Sequence, residues 1–394
     1  MDKIWSNNRY INLSINILLF LTGINFFHYG QLILPVICFI LFVDNKLRFK
    51  VNNPKTFIVL CLFAVSFYAF SYQLGFYSVM GFTLPMAYYI GSNMYEPNEE
   101  KIKKLIYLFA ISMSLHVILN AIYEYIVHGH HGFFMSSTHY DFWTREKISN
   151  TSTAINIDII LGCVYYLLFH EKNKSIKIGG LFCFALSMMY LMIIGRRTPV
   201  MMLFIVFMLS FLFETYYLKT MSEKVKKSFI ILSSVVLSVV AMLIISYALN
   251  LFNCQDVLNE YRIVGKFTKG FINDQRFELY FGSFKLMPQY LWGGQHISTI
   301  LGEQVHDFWI DIYDYAGIIT CAIMMVYSVM YFMNILKVLK SPVFSNDFKI
   351  LSLGVYICIV LQMFLEPVMT GASLFLIMAI IINGLTERSF IDEK

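Results

Sequence analysis

Long apolar runs recur along almost the whole chain, and they limit what it can fold into. A helix needs roughly 20 apolar residues to cross about 30 Å of hydrocarbon. Of the 394 residues, 58% are hydrophobic and only 14% are charged, whereas soluble domains are typically about 45–50% apolar and about 25% charged. The sequence therefore predicts an all-α, polytopic transmembrane helical bundle that forms a single integral membrane domain over residues 1–394.

The apolar runs predict about twelve membrane spans. The second is short and contains Pro35, and the tenth is longer than one crossing needs. The predicted spans are 10–28, 30–44, 56–73, 77–94, 105–127, 153–169, 177–194, 198–217, 228–250, 308–335, 349–367 and 370–386.

The orientation follows from Lys and Arg, because these residues are retained on the cytoplasmic side. With the N-terminus inside, the inside segments hold 21 of the 30 Lys and Arg residues, and each holds at least two. Both termini are therefore predicted to be cytoplasmic. Two long extracytoplasmic loops, 128–152 and 251–307, hold seven of the nine outside cations, and the second loop precedes the tenth span.

The other two outside cations, Arg196 and Arg197, lie in the short turn Gly195–Pro199. A pair of arginines there works against the topology rule. The planar guanidinium matches phosphate oxygens, so the pair predicts a site for a lipid-linked phosphate or diphosphate. The alternative is a headgroup contact that only anchors two helix ends.

The segment 276–284 is amphipathic and aromatic, which predicts a helix that lies in the membrane interface. Arg276 could face the same anionic group, and Arg262 adds positive charge nearby. The alternative is a solvated loop helix whose cations meet lipid phosphates.

The segment His306–Gly317 opens the tenth span, and its first turns are expected at or above the outer surface. Helical spacing would place Asp307, Asp311 and Asp314 on one face, and ionisable groups at a membrane edge usually face a watery cavity or a partner. Histidine changes charge near neutral pH, which suits His306 to accept a proton from a hydroxyl. The alternative is a capping histidine followed by interfacial acids.

Further polar residues fall in the outer half of the predicted bundle, which suggests one cavity open to the outside. Hydrogen bonds between helices would explain some of them equally well. These residues are His116, Asn120 and Glu124, Asn156 and Asp158, and Glu366.

No metal site or disulfide framework is expected. The histidines of the segment 128–131 lack a Cys or carboxylate pattern and are predicted to lie in an exposed loop. Six of the seven cysteines lie in apolar runs, where they act as small hydrophobic residues.

Four segments together resemble motifs of the O-antigen polymerase and O-antigen ligase superfamily, in the family's order. The first is the turn Gly195–Pro199, which is similar to a Ser-Gly-Ser-Arg segment, with Arg197 favoured over Arg196 as the motif arginine. The second is Arg276–Tyr280, similar to Arg-x-x-x-Trp, and the third is Leu291–Gly294, similar to Gly-x-Gly. The fourth is His306 with Gly317, similar to His-Asn-x-x-Leu…Gly. Here Tyr280 replaces the Trp, Asp307 replaces the Asn, and Ile310 replaces the Leu.

The resemblance implies a metal-independent, inverting glycosyltransferase in the cytoplasmic (inner) membrane of a bacterium, acting at its outer face. The donor would be an oligosaccharide on undecaprenyl diphosphate, and no cofactor or nucleic-acid partner is expected. The implied catalytic residues are His306, Arg197 and Arg276, and the implied substrate-binding residues are Arg196, Arg262, Asp307, Asp311 and Glu278.

A repeat-unit polymerase for O-antigen or capsule is favoured, with a chain-length regulator as a possible protein partner. The alternatives are an O-antigen ligase that transfers to the lipid A core, a flippase or other transporter for the lipid-linked oligosaccharide, and a structural membrane subunit. A flippase should carry cations through the membrane midplane.

Overall fold

The computed structural model describes residues 9–390 except 72–74, 76–78, 95–97, 136–138, 149, 224, 232–233, 235–241 and 243–274. Arg262 and most of the predicted ninth span therefore lie outside the described residues. The helices are α1 Arg9–Gly23, α2 Ile33–Asp44, α3 Pro54–Ser71, α4 Thr83–Asn93, α5 Glu99–Met135, α6 Asn150–Ile155, α7 Asp158–Phe169, α8 Lys174–Ile193, α9 Thr198–Leu212, α10 Gln275–Leu286, α11 His296–Leu301, α12 Phe308–Lys340, α13 Asn346–Leu365, α14 Val368–Gly371 and α15 Ser373–Ser389, and the strands are β1 His139–Tyr140 and β2 Lys147–Ile148.

The all-α prediction is confirmed, because the described residues form helices and a single two-stranded sheet. Among these residues, seven helical segments are long and apolar enough to cross a membrane: Pro54–Ser71, Glu99–Gly129, Thr151–Phe169, Lys174–Ile193, Thr198–Leu218, Phe308–Lys340 and Asn346–Leu365. A shorter apolar segment covers Gly30–Asp44. Large apolar side chains such as Phe39, Ile178 and Phe204 are exposed on these helices, which fits contact with lipid.

Glycines allow the helices of the bundle to cross closely. A Cβ atom at Gly354 of α13 would lie 2.1 Å from the carbonyl oxygen of Gly162 in α7. A Cβ atom at Gly91 of α4 would lie equally close, 2.1 Å, to the carbonyl oxygen of Ile381 in α15. Membrane helices use small residues in this way because van der Waals packing is strongest where backbones approach closely. These two crossings therefore set how near the paired helices can lie.

The first turns of α12 are separated from the rest of the helix at Gly317, whose φ of 74° and ψ of −176° are available essentially only to glycine. The N–H of Ile318 donates to the carbonyl of Leu291 (2.9 Å) instead of to its own helix. The freed carbonyls of Asp314 and Tyr315 accept from the N–H groups of Gln295 (2.7 Å) and Gly294 (3.2 Å). The segment Leu291–Gln295 thus replaces a missing turn of α12 and fixes where the second part of this helix begins.

The polar face of α5 holds a hairpin, and the segment 128–152 is more ordered than a simple loop. His116 contacts Asp141 (Nε2 to Oδ2, 2.8 Å), Asn120 accepts from the N–H of Phe142 (2.9 Å), and Glu124 accepts from the N–H of Tyr140 (3.3 Å). The three polar residues of α5 therefore form a face on which the segment with the sheet β1–β2 docks.

We expect Gly354→Ala to destabilise the protein by about 1–3 kcal/mol, because the new methyl group forces α7 and α13 apart. The measurement is the midpoint of thermal unfolding in detergent, followed by tryptophan fluorescence. Gly179→Ala is the matched control, since no atom lies within 4 Å of a Cβ there, and an alanine favours the helix slightly. Equal midpoints for the two variants would contradict the close-crossing explanation.

We also expect the hairpin to detach in acid. Burial alone would raise the pKa of Asp141, but the hydrogen bond and charge of His116, with two backbone N–H groups, lower it below its ordinary value. A lowered pKa stabilises the hairpin at neutral pH, and this stabilisation is lost as the pH falls through the folded-state pKa.

Hydrogen exchange over residues 139–148, corrected for intrinsic rates, checks this prediction. In Asp141→Asn the amide hydrogens of this segment should exchange faster than in wild type at pH 7. In wild type they should exchange faster only below the pH range in which carboxyl groups ordinarily titrate. The exposed Glu146 provides the control Glu146→Gln. Protection that is unchanged in Asp141→Asn at pH 7 would contradict the prediction.

Candidate functional site

A cavity of about 900 Å³ lies where the turn before α9 meets α10, the start of α12 and the end of α13. It brings the adjacent pair Arg196 and Arg197 together with Arg276, which lies about 80 residues further along the chain. Most of the wall is apolar. The lining residues are Gly195, Arg196, Arg197, Thr198, Met201, Met202 and Ile205, then Arg276, Tyr280, Phe284, Asp307, Ile310, Leu361, Phe364 and Leu365.

Arg196 lines the cavity with a half-buried side chain. Its NH2 group donates to Oγ1 of Thr151 in α6 at 2.5 Å. Its buried Nε has no hydrogen-bond partner among the described residues. Burial lowers the pKa of Arg196, and the charge of Arg276 lowers it further, while the charge of Glu366 raises it. A partly buried guanidinium with one unsatisfied N–H group gains from an added anion.

Arg197 lines the same cavity and occupies the N-cap position of α9. The N-terminus of a helix carries the positive end of the backbone dipole. The helix end and the two arginines therefore add their positive potentials at one side of the cavity, which is the arrangement that favours an anion there.

Arg276 reaches the cavity from α10 and pairs with a buried carboxylate. Its NH2 lies 3.2 Å from Oε1 of Glu366, and its NH1 donates to the carbonyl of Leu365 at 3.4 Å. Glu366 is only 2% exposed, whereas the side chain of Arg276 is 26% exposed. The guanidinium therefore connects the interior of the protein with the cavity.

His306 contacts the same carboxylate. Its Nδ1 lies 2.8 Å from Oε2 of Glu366, so we assign the ring proton to Nδ1, which leaves Nε2 as the proton acceptor. His306 is not among the residues that line the cavity, but the hydroxyl of Tyr280, which lines it, donates to the His306 carbonyl oxygen. Arg276 and Tyr280 thus both connect His306 to the cavity.

Asp307 lines the cavity and caps α12. Its Oδ1 accepts from the N–H groups of Trp309 (2.9 Å) and Ile310 (2.8 Å). Burial raises the pKa of Asp307, although these two hydrogen bonds lower it. An Asn or an Asp at this position can accept the same N-cap hydrogen bonds, which explains how Asp307 fits where the resembling motif has Asn.

Two other predicted binding residues, Asp311 and Glu278, do not line this cavity, and Arg262 lies outside the described residues. Asp311 accepts from Gln304 Nε2 (2.9 Å) and from the Thr370 hydroxyl (2.9 Å), so it ties α12 to α14. Asp314 accepts from the N–H groups at the start of α11. Glu278 is exposed on α10. Asp311 and Asp314 thus have structural partners.

Glu366 was expected only as one of the polar residues of an outer cavity, without a role at the site, and Thr151 was not expected there. A signal for Glu366 exists in the sequence, because proline disfavours helical conformation in the residue before it. Glu366 precedes Pro367 and is extended, with φ −146° and ψ 153°, at the end of α13. An acid held out of a helix end by a proline is therefore suited to pair with another element. Nothing in the sequence around Thr151 indicates its contact with Arg196.

The described residues hold no group of three or more His, Cys, Asp or Glu side chains placed to bind a metal ion. No protein-family model matches this chain, and no curated protein matches it at a significant level. The function must therefore be argued from the geometry of the site and from the four resembling motifs.

Proposed function

We propose that this protein is a surface-polysaccharide polymerase that transfers glycan from undecaprenyl diphosphate to a sugar hydroxyl. The observation that carries the proposal is the meeting of three arginines at one cavity, beside a paired histidine and carboxylate. It is the arrangement expected for a reaction with an anionic leaving group and a hydroxyl nucleophile. The motif resemblance to the O-antigen polymerase and ligase superfamily points to the same class.

The diphosphate of the donor fits the cationic side of the cavity. Arg196, Arg197 and Arg276 lie there with the N-terminus of α9. The leaving diphosphate gains negative charge as the glycosidic bond breaks, and preorganised positive groups stabilise that charge most effectively in a site with little water. These residues would do so without a divalent cation.

The lipid tail of the donor fits the apolar side of the cavity. Met201, Phe284 and Phe364 line it and are also exposed on the surface of the bundle. The apolar wall therefore continues onto a surface of the kind that meets lipid, so a polyprenyl chain could enter sideways while its diphosphate stays at the arginines.

The reaction is a single displacement. The acceptor oxygen bonds to the anomeric carbon of the donor as the bond from that carbon to the diphosphate oxygen breaks, and the bonding electron pair leaves on the diphosphate. The hydroxyl proton passes to Nε2 of His306, which becomes an imidazolium beside Glu366. Attack from the face opposite the leaving group inverts the anomeric configuration.

The ends of the helices favour a site on the outer face of the cytoplasmic membrane. The cavity lies at the turn with Arg196 and Arg197, where α8 ends and α9 begins. The same end of the bundle holds the start of α12 at Phe308 and the end of α13 at Leu365. The opposite ends of these four helices are lysine-rich, as expected for the cytoplasmic side; the lysines are Lys172, Lys174, Lys177, Lys219, Lys337, Lys340 and Lys349. The proposal includes the twelve spans, both termini in the cytoplasm and the long loop before the tenth span.

The first test is a complementation gel. We expect Arg197→Ala and His306→Ala, restored separately in a deletion strain at matched membrane levels, to lose the surface-glycan ladder, with a loss of activity of about 100-fold or more. Lys285→Ala is the matched control, because Lys285 is an exposed cation on α10 outside the cavity lining. It should keep the ladder.

The products left by the mutants distinguish the candidate functions. A core that bears a single repeat unit supports the polymerase. Bare core with long polymer on the carrier identifies a ligase, and repeat units trapped on the cytoplasmic leaflet identify a flippase. An intact ladder in both variants would remove the site assignment.

A second test concerns orientation. In a cysteine-free background, a membrane-impermeant maleimide should label Glu146→Cys in intact cells with a permeabilised outer membrane. Lys172→Cys should be labelled only after the inner membrane is broken. Both positions are exposed, so access depends on the side of the membrane. The reverse pattern would place the cavity on the cytoplasmic face.

A further inference from the structure

One carboxylate lies between two functional side chains of the site, the guanidinium of Arg276 and the imidazole of His306. Glu366 places Oε1 3.2 Å from Arg276 NH2 and Oε2 2.8 Å from His306 Nδ1. It is 2% exposed, so water screens neither contact well. Its backbone is held extended between the end of α13 and Pro367. A change in the interaction of Glu366 with Arg276 must therefore alter its interaction with His306.

Glu366 also opposes the proposed ligand. Arg276 lines the cavity, so a diphosphate there and the carboxylate of Glu366 draw on the same guanidinium. The two anions repel one another and compete for one cation. When the diphosphate takes a larger share of Arg276, the negative charge of Glu366 is less compensated and acts more strongly on His306.

We propose, on the basis of the proposed function, that Glu366 is a positioning residue that couples arrival of the donor diphosphate at Arg276 to activation of His306. Without donor, Glu366 is shared between Arg276 and His306. With donor bound, Glu366 interacts mainly with His306 and accepts the hydrogen bond from its Nδ1–H. It thereby stabilises the imidazolium that forms when Nε2 takes the proton of the acceptor hydroxyl. The bonds made and broken are those of the displacement itself, and no further reactant is needed.

The coupling predicts opposite effects on binding and turnover. Removing the charge of Glu366 frees Arg276 and removes a repelling anion, so the carrier diphosphate should bind more tightly. The same change deprives His306 of its carboxylate, so turnover should fall. A residue that only ties α10 to the end of α13 would, when replaced, loosen Arg276 and weaken both.

The experiment uses purified full-length protein in detergent and radiolabelled undecaprenyl diphosphate as the binding probe. Glu366→Gln keeps the size of the side chain and removes its charge. We expect about fivefold tighter equilibrium binding, together with about 10- to 100-fold less polymer formed per protein with donor in excess. Arg276→Ala should weaken binding of the same probe.

Glu303→Gln is the matched control, since it makes the same chemical change at an exposed position three residues before His306. It should leave both quantities unchanged. If Glu366→Gln binds the probe as weakly as wild type or more weakly, the coupling is overturned. In that case the proposed function still stands, provided that Arg276→Ala binds the probe more weakly than wild type. If wild type itself does not bind the probe, both proposals fall.

Discussion

Every backbone polar group inside hydrocarbon needs a partner within the protein, and this constraint decides where the site can be built. The helix α12 is interrupted at Gly317, and the carbonyls released there accept from Gly294 and Gln295. The helix α13 ends before Pro367, which has no N–H to satisfy and holds Glu366 extended. Because these irregular segments lie at the same end of the bundle, His306 and Glu366 can meet there.

The same constraint applies to side-chain charge. A charge taken out of water is costly unless it is paired, yet Arg196 has Thr151 rather than a carboxylate as its hydrogen-bond partner, and Arg276 shares Glu366 with His306. Among the described residues, the cavity therefore has fewer negative than positive side chains. The excess of positive charge is costly when the cavity is empty or holds a purely apolar ligand. A phosphate-bearing ligand would reduce that cost.

Sequence patterns were informative where they depend on local chemistry. Apolar run lengths predicted the helical bundle, and a helix overlaps each predicted span other than 228–250, which is largely outside the described residues. The number of spans stays a prediction, since several of these helices are shorter than a full crossing.

Such sequence patterns could not predict contacts between segments that are far apart in the chain. Helical spacing grouped Asp307, Asp311 and Asp314 on one face, but Asp307 has the extended backbone of an N-cap, and the other two meet different elements. Asp311 accepts from Thr370, which is 59 residues away. Spacing along a helix indicates which side chains share a face, but it does not say what lies opposite them.

The choice between an enzyme and a transporter depends on Glu366. A protein that only escorts a diphosphate needs cations along its path, and a buried carboxylate 3.2 Å from one of them weakens its hold on the anion. The described arginines of the site, Arg196, Arg197 and Arg276, lie at one end of the helices rather than along them. Besides Arg276, the side chain of Glu366 contacts the imidazole of His306. A carboxylate that opposes binding while supporting a proton acceptor is useful to a reaction and a disadvantage to passage.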